Sequence, residues 1–251
     1  MIKKERLTTI LNLINTNNIM TAKELSKQLN VSIMTINRDL NELEAEGLIN
    51  KVYGGATSVE YNRSKFSSFN KNKEIHIDEK YAVAKKAAEQ IENEDIIFIG
   101  PGTTNELILD FITAQNVTVV TSNIAIFDKL RNSSGIQVII VGGEYNKKSN
   151  SVTGVLAEKM ITDLQFDKCF IGINGIDHLV ATTLNADAGK LQSIALSNSH
   201  KRYIVTDKYK LDKKTFFEFY TLKPGDTIIT NSSIKAATKK YYAHKVNLLL
   251  N

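Results

Sequence analysis

The stretch TAKELSKQLNVSIMTINRDLNEL, residues 21–43, predicts two short amphipathic helices that are joined by a tight turn. Thr21 and Glu24 have the spacing of a capping box, in which each side chain accepts a hydrogen bond from the backbone N–H of the other residue. Ser32 is placed to cap the second helix. The buried face of this second helix is predicted from apolar residues three and four apart, namely Ile36, Leu40 and Leu43.

The first turn of the second helix points away from this apolar stripe and is therefore available to a partner. A recognition helix presents this end to base edges in the major groove, where Asn can read adenine and Arg can read guanine. We therefore predict a helix-turn-helix that binds double-stranded DNA, with a three-helix adaptor that binds protein as the alternative. The candidate DNA-contacting residues of this helix are Ser32, Ile33, Met34, Thr35, Asn37 and Arg38.

Segments on both sides complete a small domain, which we place at residues 1–57. Upstream, apolar residues at helical spacing predict a supporting helix around Leu7 and Ile14. Downstream, residues 48–53 predict a short strand that runs into the turn at residues 54–55, which is the outline of a wing. On this wing, Lys51 and Tyr53 are placed to reach the phosphate backbone or the minor groove. The sequence thus predicts a winged helix-turn-helix domain.

The charge of this domain predicts a modest DNA affinity for each copy. Residues 1–57 hold seven Lys or Arg and six Asp or Glu side chains, a net charge of +1, whereas the whole chain has +5 and a pI near 9.0. Four acidic side chains of the second helix are expected to face away from phosphate, namely Asp39, Glu42, Glu44 and Glu46. We therefore expect a homo-oligomer, a dimer or a tetramer, that binds repeated half-sites.

Length and composition predict a cytoplasmic protein with two domains. The chain has 251 residues, of which 42% are apolar, and no apolar stretch reaches the roughly 18 residues of a membrane span. The start MIKKER is not followed by the apolar segment of a signal peptide. Residues 58–75 are rich in Ser, Asn and Lys and are predicted to be a linker. Cys169, the only cysteine, lies in an apolar run and is predicted to be an inert buried thiol.

From residue 76 to residue 251, helical patterns alternate with apolar runs of strand length. This alternation predicts an α/β domain with a largely parallel sheet whose strands are covered on both faces. The predicted strands are 96–99, 117–120, 136–141, 169–171, 203–205, 227–229 and 246–250.

Three loops that follow successive predicted strands combine glycine with hydroxyl or amide side chains. Glycine lets the backbone approach a ligand closely, and free amide groups at a helix start favour an anion. Because the carboxyl ends of parallel strands meet at one edge, the three loops together predict a site for a small phosphorylated ligand. The candidate residues are Gly100, Gly102, Thr103, Thr104, Thr121, Ser122, Asn123, Gly142 and Gly143.

The N-terminal domain contains a series of short motifs in a fixed order and spacing, namely Val31-Ser32, Thr35-Ile36, Arg38-Asp39-Leu40, Leu43-Glu44, Gly47 and Gly54-Gly55-Ala56. In these motifs the domain resembles the DeoR family of bacterial transcriptional repressors. Two positions depart from the family, which usually has a second Arg in place of Asn37 and a His in place of Tyr53. The operator sequence therefore cannot be transferred from relatives.

The C-terminal half resembles the effector domain of the same family, which is related in fold to ribose phosphate isomerases and glucosamine phosphate deaminases. The resemblance implies that the three loops bind a sugar phosphate and that Lys190 and Lys210 are its cationic partners. The family commonly has an Asp-containing pattern at the position of Gly100-Pro101. With Gly-Pro at this position, the chain is similar to a subgroup of the family whose ligand is a tagatose phosphate. Residues 185–188 read NADA where the family tends to carry Glu-Ala before the lysine.

These observations predict a repressor of a carbohydrate-utilisation operon that a phosphorylated sugar releases from its operator. One alternative is a sugar-phosphate isomerase or deaminase with an accessory DNA-binding module, and another is a DNA-binding activator without a ligand. Catalysis, a cofactor and a metal are not expected, and the four histidines are scattered singly without ligand spacing.

Overall fold

A computed structural model describes residues 2–17, 19–52, 54–58 and 75–251. The chain divides into two compact units, Met1–Lys71 and Asn72–Asn251. The predicted boundaries, a first domain at 1–57, a linker at 58–75 and a second domain at 76–251, remain predictions, because residues 59–74 lie outside the described ranges. None of the helices in those ranges has the length and apolarity needed to cross a membrane.

The first unit is a winged helix-turn-helix, as the sequence predicts. Its three short strands form an antiparallel sheet in the order β1-β3-β2. The elements are α1 (Lys3–Asn17), β1 (Ile19–Thr21), α2 (Ala22–Leu29), α3 (Ile33–Ala45), β2 (Ile49–Val52) and β3 (Gly55–Ser58). The core is formed by the predicted stripes of α1 and α3 together with residues of α2 and of the strands, including Ile10, Ile14, Met20, Leu25, Ile36, Leu40, Leu43 and Ile49.

The capping of α2 and α3 follows the sequence prediction. The Thr21 backbone N–H donates to Glu24 Oε2 at 2.8 Å, and the Glu24 N–H donates to Thr21 Oγ1 at 3.2 Å. Ser32 Oγ accepts from the Thr35 N–H at 3.2 Å. The turn between the helices uses Asn30 in the left-handed region with φ of 51°. These contacts fix where α3 begins.

The second unit is built on a seven-stranded parallel sheet in the order β15-β14-β12-β9-β4-β5-β6. Its helices are α4 (Ile77–Ala88), α5 (Thr103–Ile108), α6 (Ile124–Leu130), α7 (Val155–Thr162), α8 (Ala186–Ser197) and α9 (Ala236–Ala243). The sheet strands are β4 (Ile96–Ile99), β5 (Val117–Thr121), β6 (Ile136–Ile140), β9 (Phe166–Gly172), β12 (Ser199–Val205), β14 (Thr227–Thr230) and β15 (Asn247–Leu250). All seven predicted strands are present.

Successive residues of the central strands enter two separate hydrophobic clusters. Phe98 of β4 belongs to one cluster, whereas Ile97 and Ile99 belong to the other. On β12, Ile204 alternates with Tyr203 and Val205 in the same way. The sheet is therefore buried on both faces, which explains why its strands are continuous apolar runs.

Shorter strands, which sequence patterns did not predict, form two small sheets. The antiparallel pair β7 (Glu144–Asn146) and β8 (Ser151–Thr153) makes a hairpin before α7. The other sheet has the order β10-β11-β13 and contains β10 (Gly175–Asp177), β11 (Val180–Thr183) and β13 (Phe217–Thr221). Its first strand, β10, follows the carboxyl end of β9 after a short connection, so this small sheet begins at that edge of the large sheet.

The amino edge of the large sheet is held by ion pairs in which at least one partner is buried. Lys168 at the start of β9 donates to Asp95 at 2.7 Å and to Glu92 at 2.6 Å. Arg202 on β12 is paired with the fully buried Asp226. These charges are neutralised by partners within the fold, so they do not offer a binding site for an ion.

Gly55 is required by the close approach of β1 to β3. A Cβ atom at this position would lie 2.3 Å from the Met20 carbonyl oxygen and 2.8 Å from Thr21 Cα. We expect Gly55→Ala to lower the free energy of unfolding of the N-terminal unit by about 1–3 kcal/mol, because the backbone of β1 must move. Urea unfolding followed by circular dichroism measures this change. Gly142→Ala is the control, since a Cβ there meets no atom within 4 Å, and an equal effect of both variants would contradict the explanation.

Cys169 lies inside β9 with none of its surface exposed. Burial raises the pKa of its thiol to about 12, which suppresses the reactive thiolate. At pH 8 we expect a thiol-specific reagent to modify the native protein at least about 100-fold more slowly than the denatured protein. Absorbance of the released chromophore gives both rates. Rapid modification under native conditions would show that the strand opens or that the thiol is not buried.

Candidate nucleic-acid interface and candidate anion site

The first turn of α3 presents an exposed and mainly uncharged surface. Ile33 and Met34 are 47% and 82% exposed, although both are large apolar residues. Asn37 and Arg38 are also exposed, and Thr35 is half-buried next to the cap residue Ser32. All six candidate residues of this helix start therefore lie together on one surface of the first unit, away from the buried stripe.

The position of α3 is fixed against α1 by ion pairs that sequence reasoning did not identify. Arg6 donates to Asp39 from Nε to Oδ2 at 2.6 Å and from Nη2 to Oδ1 at 3.2 Å. Asp39 is fully buried, so it does not belong with the acidic surface residues among which the sequence pattern placed it. Lys3 forms a more exposed pair with Glu42 at 2.7 Å. The signal available in the sequence was an acidic residue adjacent to an apolar stripe.

Lys51 of the wing lies next to α3. Its backbone N–H donates to Glu44 Oε1 at 2.9 Å, and its ammonium group donates to Asn41 Oδ1. This arrangement keeps a positive charge beside the exposed face of α3. Tyr53, the other predicted wing contact, lies outside the described residues.

The loop between β4 and α5 is tied to the neighbouring strand β9. The Gly100 N–H donates to the Phe170 carbonyl at 2.9 Å, and Asn105 Nδ2 donates to the carbonyls of Gly100 at 2.9 Å and Phe170 at 3.0 Å. Gly102 has φ of 155°, and a Cβ atom there would lie 3.7 Å from Gly172 Cα at the end of β9, an ordinary contact distance. The backbone angle, rather than the contact, therefore favours glycine at 102. Thr103 and Thr104 follow directly as the first turn of α5.

The loop between β5 and α6 is fully buried. Thr121 Oγ1 donates to the Ile99 carbonyl at 2.7 Å. Asn123 caps α6 through Oδ1, which accepts from two backbone N–H groups, while its Nδ2 donates to Glu106 Oε1 at 3.2 Å. Thr121 and Asn123 therefore hold the loops together with their own side chains. Between them, the buried Ser122 Oγ has no hydrogen-bond partner within the described residues, and neither has Asn105 Oδ1.

Gly142 and Gly143 follow β6, which lies two strands from β4. Both are exposed, and the Gly142 N–H contacts Met160 Sδ of α7 at 3.2 Å. Because neighbouring strands are spaced by about 4.8 Å, this loop lies roughly 10 Å from the Gly100 loop along the sheet edge. The third predicted loop is therefore at the same edge but at its margin.

The two predicted lysines lie in different surroundings. Lys190 on α8 is exposed, with its ammonium 3.8 Å from Asp187 Oδ1. Lys210 is half-buried in a 3₁₀ turn (Lys208–Lys210) that follows β12, and this turn is capped by the buried Asp207, which accepts from the Tyr209 N–H at 2.9 Å. Lys210 thus stands at the carboxyl edge of the sheet, two strands from β4.

Sequence reasoning missed Lys80, which is only 4% exposed on α4. Burial lowers the pKa of Lys80, Asp207 opposes this shift, and Lys210 adds to it, which indicates that the two lysines lie near each other and near Asp207. The sequence signal was a lysine on the apolar face of α4, three residues before the buried Val83. Lys80 and Lys210 together bring two ammonium groups near the buried carboxylate of Asp207 at this part of the edge.

A cleft of about 310 Å³ opens beside Thr103, between the first turns of α4, α5 and α6. It is lined by Ile77, Thr103, Glu106, Leu107, Ala125 and Lys129. Within the described ranges, no group of three or more His, Cys, Asp or Glu side chains is arranged to hold a metal ion. The polar side chains of the cleft are the hydroxyl of Thr103, the carboxylate of Glu106 and the ammonium of Lys129.

Two family models match the two units of this chain. The DeoR-like helix-turn-helix domain matches residues 6–62, and the DeoR C terminal sensor domain matches residues 75–232. The lactose phosphotransferase system repressor of Staphylococcus aureus is 33% identical over 249 residues, which cover 98% of this chain and 99% of that protein. The repressor of the same name from Lactococcus lactis is 32% identical over 250 residues, or 98% of each chain.

Solved structures with a similar fold are more distant. Ribose 5 phosphate isomerase A from Neisseria gonorrhoeae has a TM-score of 0.39 and 18% identity over 53% of this chain and 52% of that chain, so only about half of the isomerase is spanned. The full-length sorbitol operon regulator SorC from Klebsiella pneumoniae has a TM-score of 0.32 and 12% identity over 80% and 87% of the two chains. Likeness at this level does not assign a function.

The sequence matches cover both structural units, and the relatives extend over nearly the whole chain. The chain belongs to the DeoR family of DNA-binding transcriptional regulators, with a DeoR-like helix-turn-helix domain ahead of a DeoR C-terminal sensor domain.

Proposed function

We propose that this protein is a cytoplasmic repressor of a carbohydrate-utilisation operon and that a phosphorylated sugar releases it from its operator. The observation that carries the proposal is the presence, in one chain, of an exposed recognition-helix surface and a sheet edge with hydroxyl and ammonium groups. The names of the relatives, lactose phosphotransferase system repressors, support the carbohydrate assignment. These relatives are named as repressors, which supports a regulatory role rather than a catalytic one.

On the DNA side, α3 enters the major groove with its N-terminal turn. Asn37 and Arg38 contact base edges, Ile33 and Met34 supply apolar contacts to thymine methyl groups, and Lys51 contacts a phosphate. The net charge of +1 over residues 1–57 leaves little non-specific attraction for one copy. Two or more copies on repeated half-sites supply the remaining affinity.

On the effector side, the phosphate group lies at the start of α5, where Thr103 and Thr104 donate hydroxyl hydrogen bonds. Lys210 approaches from the turn after β12, which is separated from β4 by one strand, or roughly 10 Å across the edge, and Lys80 approaches from α4. Ser122 Oγ, which is buried without a partner in the described structure, gains one when the ligand-bound loop rearranges. The candidate set also includes Gly100, Gly102, Thr121, Asn123, Gly142, Gly143 and Lys190.

The sugar is a tagatose phosphate or a close relative. Gly100-Pro101 is the feature of this chain that resembles the subgroup with that ligand, and the relatives named above concern lactose uptake. The ligand can lower operator affinity only by as much as its own affinity differs between the DNA-binding arrangement and the released arrangement. The effector therefore favours an arrangement in which two α3 helices no longer match the spacing of the half-sites.

Arg38→Ala should weaken operator binding because it removes a bidentate contact to a base, which contributes about 1–3 kcal/mol of discrimination. Fluorescence anisotropy on a duplex selected by the wild-type protein measures the change, and sugar-phosphate binding should stay unchanged. Lys4→Ala is the matched control, since it removes the same charge from an exposed site on α1. If both variants lose affinity equally, Arg38 acts only through its charge and α3 does not read bases.

Thr103→Val with Thr104→Val should produce a repressor that no longer releases its operator. The change keeps side-chain shape but removes two donors, so we expect at least about a tenfold loss of ligand affinity. Thermal-shift titration with hexose and pentose phosphates, including tagatose 6-phosphate, measures this loss. Thr230→Val is the control, because it removes another buried hydroxyl at the end of β14, three strands from β4. Unchanged ligand affinity in the double variant would remove these threonines from the site. Turnover of any of these sugar phosphates by the wild-type protein would instead favour an isomerase or deaminase.

A further inference from the structure

Among the described residues, the Arg6–Asp39 contact is the buried, directional interaction that joins α1 to the recognition helix. Two parallel hydrogen bonds connect the guanidinium and carboxylate groups, at 2.6 Å and 3.2 Å. Arg6 is 8% exposed and Asp39 is fully buried. A planar fork of this kind is satisfied in only a narrow range of relative orientations.

The contact acts at the part of α3 that faces DNA. Asp39 directly follows Arg38 and lies two residues after Asn37, so its direction determines where these two side chains point. The remaining contacts of α3 with its unit are apolar ones through Ile36 and Leu40 and more exposed polar ones through Asn41, Glu42 and Glu44. The hydrophobic effect is non-directional, so the apolar contacts define the rotation of a helix about its axis less sharply than a bidentate fork does.

Stability alone is a weak explanation for this pair. Burying two charges has a desolvation cost that offsets most of their attraction, and apolar residues of similar volume often stabilise a fold equally well. Orientation is a property that apolar replacements do not supply. Direct readout of bases depends on this orientation, because bidentate hydrogen bonds to base edges need a fixed side-chain direction.

We propose that Arg6 is a positioning residue for sequence readout, whose fork with Asp39 sets the rotation of α3 and thereby directs Asn37 and Arg38 to the base edges. This inference rests on the proposed DNA-binding function and adds a residue that does not itself touch DNA. It predicts that sequence specificity and folding stability can be separated by mutation.

The test compares Arg6→Met, Asp39→Leu and the double variant. Each single variant leaves a buried charge unpaired and should lower the melting temperature, whereas the double variant should recover it. At a temperature where all are folded, anisotropy is measured on a duplex that the wild-type protein selects from a random library and on a shuffled duplex of equal composition. For the double variant, which has the wild-type net charge, we expect operator affinity to fall at least tenfold and affinity for the shuffled duplex to change less than twofold.

The matched control is Lys3→Met with Glu42→Leu, which removes the neighbouring, more exposed ion pair between the same helices without changing the net charge. Its ratio of operator to shuffled affinity should stay within twofold of wild type. Arg6→Lys provides a second measurement if the double variant does not fold, since lysine keeps the charge but cannot form the fork. This variant should lose at least threefold in the ratio.

A double variant that is folded and retains the wild-type ratio would overturn the proposal, because packing alone would then orient α3. An equal loss on both duplexes would also overturn it, since a general defect would explain the result. Failure of the proposed function is a distinct outcome, in which the wild-type protein selects no duplex over the shuffled sequence.

Discussion

The polarity of the parallel sheet is the constraint on which the sensor unit depends. Because all seven strands run in one direction, every loop that leaves a carboxyl end emerges at the same edge. The hydrogen bonds of Asn105 to the carbonyls of Gly100 and Phe170 then hold the loop of β4 against the end of β9. Residues that are far apart in sequence, such as Thr103 and Lys210, consequently belong to one edge. At the opposite edge, ion pairs neutralise the buried charges, so the two ends of the sheet have different chemistry.

Sequence patterns predicted the elements whose form is dictated by burial on a regular face. The seven strands of the large sheet were recognised because both faces are covered, and α3 was recognised from Ile36, Leu40 and Leu43. The strands β10, β11 and β13 were not recognised, since they are short and mix polar with apolar residues. Their pairing joins β11 to β13, more than thirty residues later in the chain, with a bulge between Ala181 and Thr182. Such register depends on tertiary contacts that a local pattern does not contain.

The candidate sites show a similar division. Glycine and threonine at strand ends predicted which loops would share the edge, because strand direction alone fixes that result. The pattern could not distinguish Thr121 and Asn123, whose side chains bond the protein itself, from Ser122, whose hydroxyl has no partner among the described residues. Charged residues were the least predictable. Asp39 was grouped with exposed acidic residues and Lys80 was not singled out, yet both are buried in the structure, and each has a charged neighbour contributed by a distant segment.

In the proposed mechanism, the small net charge of residues 1–57 sets how large an effect the sensor unit has to produce. With +1 over these residues, neutralisation of phosphates contributes little for each copy, so we expect operator affinity to depend on base contacts and on joining copies. Affinity gained by joining copies is lost when geometry prevents both from engaging their half-sites. In the proposed mechanism, a coupling free energy of about 1–3 kcal/mol acts on the spacing of the copies rather than on each contact. The role proposed for the fork between Arg6 and Asp39 suits this mode of control, because the fork would hold each reading surface in a fixed orientation while the distance between copies changes.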